Sequence, residues 1–338
     1  MKNKSNLTAI LTNQKVIGWL LSGDPAIRWQ VQRDLLESPA ALIESERQKI
    51  VVAGWGKRLL DLQGDNGLWA NGLYSPKWTS TTYTMLLLWQ LGLPSDNPQC
   101  RNAAKILLKK GFNDDGGINF SRSIDYSEQC VTGMILTLCS YFRIDDPQVD
   151  RLAEFLKAWQ MPDGGWNCQS PRGATHSSLH TTIIVLESLF EYGKFRATTE
   201  FQKLQQQAWE FILKHRLFRS HRTGAIIKDQ FLRFSFPPRW HYDILRALDY
   251  WQQSRLPYDP RLDDALEILI KKQLKDGTWS LQQRYPGRTY FEMETVGQPQ
   301  PASSESRLGL AGSRWNTLRA LRVLKWLQKV KSQGENEV

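Results

Sequence analysis

The heptapeptide Gln160-Met161-Pro162-Asp163-Gly164-Gly165-Trp166 decides the fold, because the chain repeats it. Gln63-Gly-Asp-Asn-Gly67-Leu-Trp69 and Gln273-Leu-Lys-Asp-Gly277-Thr-Trp279 share its pattern, Q-x-x-[D/N]-G-x-W. A degraded copy stands at Phe112-Asn-Asp-Asp-Gly116-Gly-Ile118, and a fainter one at His221-Arg-Thr-Gly224-Ala-Ile226. The glycines at 67, 116, 164, 224 and 277 lie 49, 48, 60 and 53 residues apart. A recurrence of about 50 residues marks stacked supersecondary units, each too small to bury its own apolar face.

On either side of each turn the periodicity is helical. A charged, amphipathic stretch precedes it, as at Val149–Gln160 and Asp259–Gln273, with apolar residues three and four apart. A more apolar stretch follows: Thr79–Leu91, Ser127–Phe142, Ser177–Tyr192, Arg239–Trp251 and Arg314–Leu327, with a sixth from Pro25 to about Leu36. A helix apolar all round must be covered on both sides, whereas one with a charged face can lie outside. Six inner and six outer helices in alternation predict an all-α fold, a single closed (α/α)6 toroid, or α/α barrel, of helical hairpins. It is expected to occupy residues 1–330 as one domain, with a polar, frayed tail at 331–338.

Composition agrees with a packed core. Of 338 residues 41% are apolar, and 14 are Trp, several times ordinary usage, so the core or a ligand cavity must employ these rings. No run approaches the length of a membrane span, and the N-terminus lacks the apolar core of a signal peptide. The four cysteines (Cys100, Cys130, Cys139 and Cys168) show no CxxC spacing and read as free thiols of a cytoplasmic protein. The net charge of +10 is spread along the chain, so no nucleic-acid partner is expected, while a peripheral membrane contact is compatible with it. Oligomeric state is not legible.

In such a barrel the inner helices run parallel, and their N-termini gather partial positive charge and unpaired N–H groups at one mouth. Four inner starts carry a basic residue followed by Trp: Arg28-Trp29, Lys77-Trp78, Arg239-Trp240 and Arg314-Trp315. This predicts a basic, Trp-walled rim for an anionic ligand. Trp78, Tyr83, Tyr126, Arg239, Trp240, Tyr290, Arg314, Trp315 and Asn316 are the expected substrate contacts. His176 and His180, four apart and followed by Glu187, are expected on one helix face; with Glu128, His241 and Asp243 they form the acid/base set. No cofactor is expected; a zinc site drawn from His176, His180, Cys130 or His241 is conceivable. Two long segments, about 219–238 and 281–313, cap the same mouth, and the second, rich in Tyr, Phe and Glu, reads as a lid.

The Q-x-x-[D/N]-G-x-W turn, preceded in its best copy by Arg151 and Phe155-Leu156, resembles the QW repeat of triterpene cyclases and prenyltransferase β-subunits. Segments such as Phe236-Pro-Pro-Arg-Trp-His-Tyr-Asp243 and His180-Thr-Thr182 are similar to those of single-barrel bacterial squalene-cyclase-like proteins. The resemblance implies that the Gln and Trp of each turn are scaffold. It also implies an isoprenoid substrate whose carbocations are guided by aromatic walls. The D-x-D-D motif of the cyclases and the D-x-C arrangement of the zinc transferases are both absent. Three functions follow as expectations: an isoprenoid cyclase- or transferase-like protein holding an apolar, anionic-headed substrate; a carbohydrate-active hydrolase or lyase using two of Glu128, Asp243, Glu292 and Glu294; and a non-catalytic barrel that binds a lipid or a partner chain.

Overall fold

The computed structural model describes residues 4–294 and 312–334, and among these there is no strand, only helices and three isolated bridges. The chain runs α1 (Lys4–Leu11), α2 (Gln14–Leu21), α3 (Pro25–Asp34), α4 (Ala40–Val52), α5 (Gly54–Leu60), α6 (Thr81–Leu91), α7 (Pro98–Gly111), α8 (Gln129–Tyr141), α9 (Pro147–Ala158), α10 (Leu179–Arg196), α11 (Gln202–Lys214), α12 (Ile244–Gln253), α13 (Asp263–Lys271) and α14 (Arg314–Gly334). Burial sorts them into two layers. In α6 every residue but Trp89 and Gln90 is buried, whereas α7 buries one stripe, from Cys100 through Ala103, Ala104, Leu107 and Leu108 to Gly111. The inner ring is α3, α6, α8, α10, α12 and α14; α2, α5, α7, α9, α11 and α13 precede them on the outside.

Contacts between neighbours close the ring. Trp29 Nε1 on α3 donates to Leu91 O on α6 at 2.9 Å. Gly133 lets α8 lie directly against Ile184 and Ser188 of α10. Tyr250 on α12 donates to Leu186 O on α10 at 2.8 Å. Asp249 on α12 holds Arg319 and Arg322 of α14, and Arg322 in turn reaches Gln30 and Asp34 of α3 at 3.0 and 3.1 Å. The last inner helix thus abuts the first.

The turns share one set of bonds. The five spaced glycines all have left-handed backbones, with φ of 76°, 88°, 97°, 72° and 89°, a region open to glycine at no steric cost. Trp69, Trp166 and Trp279 donate Nε1 to Leu59, Leu156 and Leu269 carbonyls at the ends of α5, α9 and α13, at 2.6–2.7 Å. Their backbone N–H groups donate to Thr81, Thr182 and Thr317 on the next inner helix, and Ile118 of the degraded copy does the same to Thr132. Each of the three Trp turns therefore pins an outer helix end to the following inner start.

Several expectations change. The helix predicted from Arg239 begins at Ile244, because Arg239 takes a left-handed backbone, φ 56°, and Asp243 caps the start, accepting from Arg246 N–H at 2.8 Å. The predicted tail is helical through Gly334, and 335–338 lie outside the described residues. Of the expected lid, 281–294 and 312–313 are described and 295–311 fall outside. Two of the four cysteines are not free: Cys130 and Cys168 are bonded, their Cα atoms 6.1 Å apart, leaving Cys100 and Cys139 as buried thiols. The two cysteines, 38 residues apart, meet where the α8 start lies against the loop of the next repeat, which linear spacing does not reveal.

Candidate functional site

The inner N-termini meet in an aromatic mouth. The loop after the Gly67 turn brings Tyr74, Lys77 and Trp78 to the start of α6, and the Phe236–Tyr242 loop brings Arg239, Trp240 and His241 to the start of α12. Trp78 packs edge-on to Tyr83 at 4.7 Å, and Tyr83 donates to Tyr74 at 2.8 Å. His241 lies between two rings, Trp240 at 3.6 Å and Tyr285 at 3.5 Å with an interplanar angle of 7°. The strap from Leu281 to Glu294 covers this cluster. Trp78 Nε1 donates to Pro286 O at 2.8 Å, Tyr290 donates to Thr79 O at 2.9 Å, and Arg58 sits 3.7 Å over the Phe291 ring.

Arg239 is the unusual group here. Its φ of 56° is left-handed, as is the 70° of Trp78, a conformation that costs a non-glycine residue of order 1 kcal/mol or more. Its guanidinium lies 5.3 Å over Trp78, forms no ion pair among the described residues, and buries Nη1 without a hydrogen-bond partner. Burial holds its pKa down to about 10, with Tyr83 acting in the opposite sense. Beneath the strap it borders a pocket of about 60 Å³ with Trp78, Phe236, Tyr285, Tyr290 and Met293.

The acid/base candidates separate by environment. Glu128, just before α8, is partly buried; burial raises its pKa, opposed by Arg172 and Lys77, with which it forms no ion pair among the described residues. His180 accepts the Tyr242 N–H at Nδ1, 2.9 Å, and burial aided by Lys228 and Arg246 pushes its pKa down to about 4. It is therefore a neutral imidazole that offers Nε2–H as a donor and has no lone pair left for a base. His241 is pushed to about 3, first by burial and then by His180, Arg246 and Lys77, so it too is neutral.

Other candidates are engaged elsewhere. Asp243 is fully buried and taken up by Ser235 and the α12 N-terminus. His176 precedes α10 in an exposed loop and shares no helix face with His180. Arg314 turns outward, 4.6 Å over Trp19 and bonded to its carbonyl, and Arg28 pairs with Glu46; the basic rim shrinks to Lys77 and Arg239. Asn316 is buried as a staple to the Phe234 and Ser280 carbonyls, and Tyr126 stands at the edge, under Arg172 at 5.8 Å. Of the two strap acids, Glu292 pairs with Arg284, and Glu294 caps α14 through Ser313, Arg314 N–H and Trp315 N–H. Burial raises Glu294 to about 7.

Below the mouth the lumen holds a cavity of about 390 Å³ that mixes rings with ion pairs. Trp29, Trp89, Phe190, Phe236, Tyr250 and Trp315 line it, and Trp315 leaves Nε1 buried with no partner among the described residues. Between the rings stand Glu187 with Arg246, at 2.6 and 2.8 Å, and Asp249 with Arg319 and Arg322. Phe236 borders both this cavity and the Arg239 pocket. The lumen arginines escaped sequence reading because on α12 and α14 they look like the polar face of a surface helix. The one available signal was that an inner helix has no surface face. A flanking groove of about 550 Å³ gathers His176, His180, His215 and His221, the last two 3.1 Å apart. Among the described residues no group of three or more His, Cys, Asp or Glu is placed to hold a metal, and no helix is long and apolar enough to cross a membrane.

No protein-family model matches the chain, and no curated protein matches it. Among solved structures it is similar to the type II terpene cyclase MstE from Scytonema in the apo form, at 16% identity over 98% of this chain and 99% of that one, with a TM-score of 0.46. A single-substitution variant of the same cyclase aligns at 16% identity over 97% and 98%, TM-score 0.47. Another, in complex with geranylgeranyl dihydroxybenzoate, aligns at 16% over 97% and 99%, TM-score 0.46.

Proposed function

We propose that the protein handles an isoprenoid-class substrate, with the apolar body among the rings of the mouth and upper lumen and the anionic head on Arg239. The observation that carries this reading is the buried Arg239 guanidinium, which has no partner among the described residues and is walled by Trp78, Phe236 and Tyr285. An uncompensated buried cation costs several kcal/mol unless an anion completes it, and the aromatic walls favour an apolar body over a sugar-sized polar one. Glu128 is the acid or base of this reading: its raised pKa and open face suit proton transfer, while Lys77 and the neutral His180 and His241 supply cation and donors. Because Glu294, Asp243 and Glu292 are committed to helix caps and an ion pair, the two facing free carboxylates of a glycosidase have no counterpart among the described residues.

The test is a comparison of farnesyl diphosphate with farnesol by tryptophan fluorescence, followed by mass spectrometry of the products. The diphosphate should bind at least about tenfold tighter, equivalent to about 1.4 kcal/mol, and Arg239→Gln should erase that preference. Glu128→Gln should abolish turnover and leave binding in place. Equal binding of the two ligands would sink the reading; binding without turnover would leave a carrier of the same ligand class.

A further inference from the structure

The four cysteines fall into two chemically different pairs. Cys100 and Cys139 are fully buried, and burial drives both thiols up, which makes them inert. Cys130 and Cys168 are only partly buried, and they join the first turn of α8 to the loop that leads from Trp166 towards α10. Their surroundings are unequal. The Cys168 sulfur accepts the backbone N–H of Cys130, 3.2 Å away at the α8 N-terminus, and the Thr181 hydroxyl at 3.5 Å. A helix N-terminus and a hydroxyl donor both favour a thiolate. The Cys130 sulfur has no such donor among the described residues.

We propose that Cys130 and Cys168 form a reversible redox site, with Cys168 as the attacking thiolate and a low-molecular-weight disulfide as its reactant. In the reduced protein Cys168 attacks one sulfur of glutathione disulfide, forming a mixed disulfide and expelling one glutathione thiolate. Cys130 then gives its proton to solvent, attacks the Cys168 sulfur and expels the second glutathione. Two protein thiols are oxidised, and one disulfide is reduced to two thiols. Closure ties the helix start that follows Glu128 to the neighbouring unit; opening frees it. This holds whatever the substrate of the mouth.

The experiment uses the full chain, reduced and then alkylated with iodoacetamide at pH 7 for a range of times, with each cysteine followed by peptide mapping. Cys168 should react about tenfold faster than Cys130, with Cys100 and Cys139 as internal slow references. Thr181→Val should slow Cys168 and leave Cys130 unchanged. Exposed to glutathione disulfide, the reduced protein should lose two hydrogens and yield the linked Cys130–Cys168 peptide, and excess glutathione should reverse this. A faster Cys130, or glutathione adducts that accumulate on Cys168 without closing, would overturn the proposal.

Discussion

Arg239 and Arg314 belong to the same dipeptide pattern, basic then Trp, yet only one faces the mouth. The difference lies in the backbone. Arg314 is the first helical residue of α14 and points back over Trp19, whereas Arg239 precedes its helix by five residues in a left-handed turn that carries it inward. The expected contacts Trp78, Tyr83 and Tyr290 lie together beside the pocket under the strap, with Trp240 across Lys77, but spacing cannot tell a cation that caps a neighbour from one left unpaired. Arg239→Lys should retain part of the anion preference and Arg239→Gln none, because the ammonium keeps the charge but lacks the fork; titration with farnesyl diphosphate checks both. The imidazoles permit a second test. His180 and His241 titrate in the fold at about 4 and 3, below the ordinary 6.5, so the unfolded chain binds more protons between those values. Their contribution is full above pH 6.5 and is lost as pH falls towards 3. The melting temperature should fall between pH 6.5 and 4, and His180→Asn should flatten that slope; an equal slope in both proteins would remove His180 from the account.

At the level of elements, the turns were the most legible part of the chain. Gln, Gly and Trp at fixed offsets announced them, and even the weak copies at Gly116 and Gly224 keep the left-handed glycine. Their threonine partners went unseen, because Thr81, Thr182 and Thr317 stand 12, 16 and 38 residues beyond their tryptophans, too variable for a motif. Trp166→Phe should leave the Leu156 carbonyl unpaired in a buried site and cost about 1–3 kcal/mol, read as a shift of the urea midpoint with an unchanged slope. The strap makes a kinetic prediction. Tyr290→Phe removes the bond to Thr79 O, worth about 0.5–1.5 kcal/mol. Ligand release should quicken about two- to tenfold in stopped-flow fluorescence if the strap is a lid, and stay unchanged if it is a fixed wall.

For the whole molecule, periodicity announces twelve of the fourteen described α-helices, all but α1 and α4, but not the ionic lumen. Periodicity says which face is polar and not whether water is there. Asp249 meets two arginines from α14, one of which continues to α3, so the network spans the seam of the ring. Asp249→Ala should leave Arg319 without a carboxylate and Arg322 with Asp34 alone, and cost about 3–5 kcal/mol, whereas Asp61→Ala, on the exposed Lys57 pair, should change stability by under about 1 kcal/mol in the same thermal melts. The seam also has a consequence for biosynthesis. The helix that completes the lumen wall is the last of the six to leave the ribosome, and its partners on α3 are made some 290 residues earlier. Until it arrives, five hairpins stand as an open arc with Gln30, Asp34 and Asp249 facing water, able to stack but unable to enclose anything. Ligand capacity should therefore appear all at once when α14 packs into place, and a nascent chain halted before Arg314 should present its inner face to chaperones instead of to substrate.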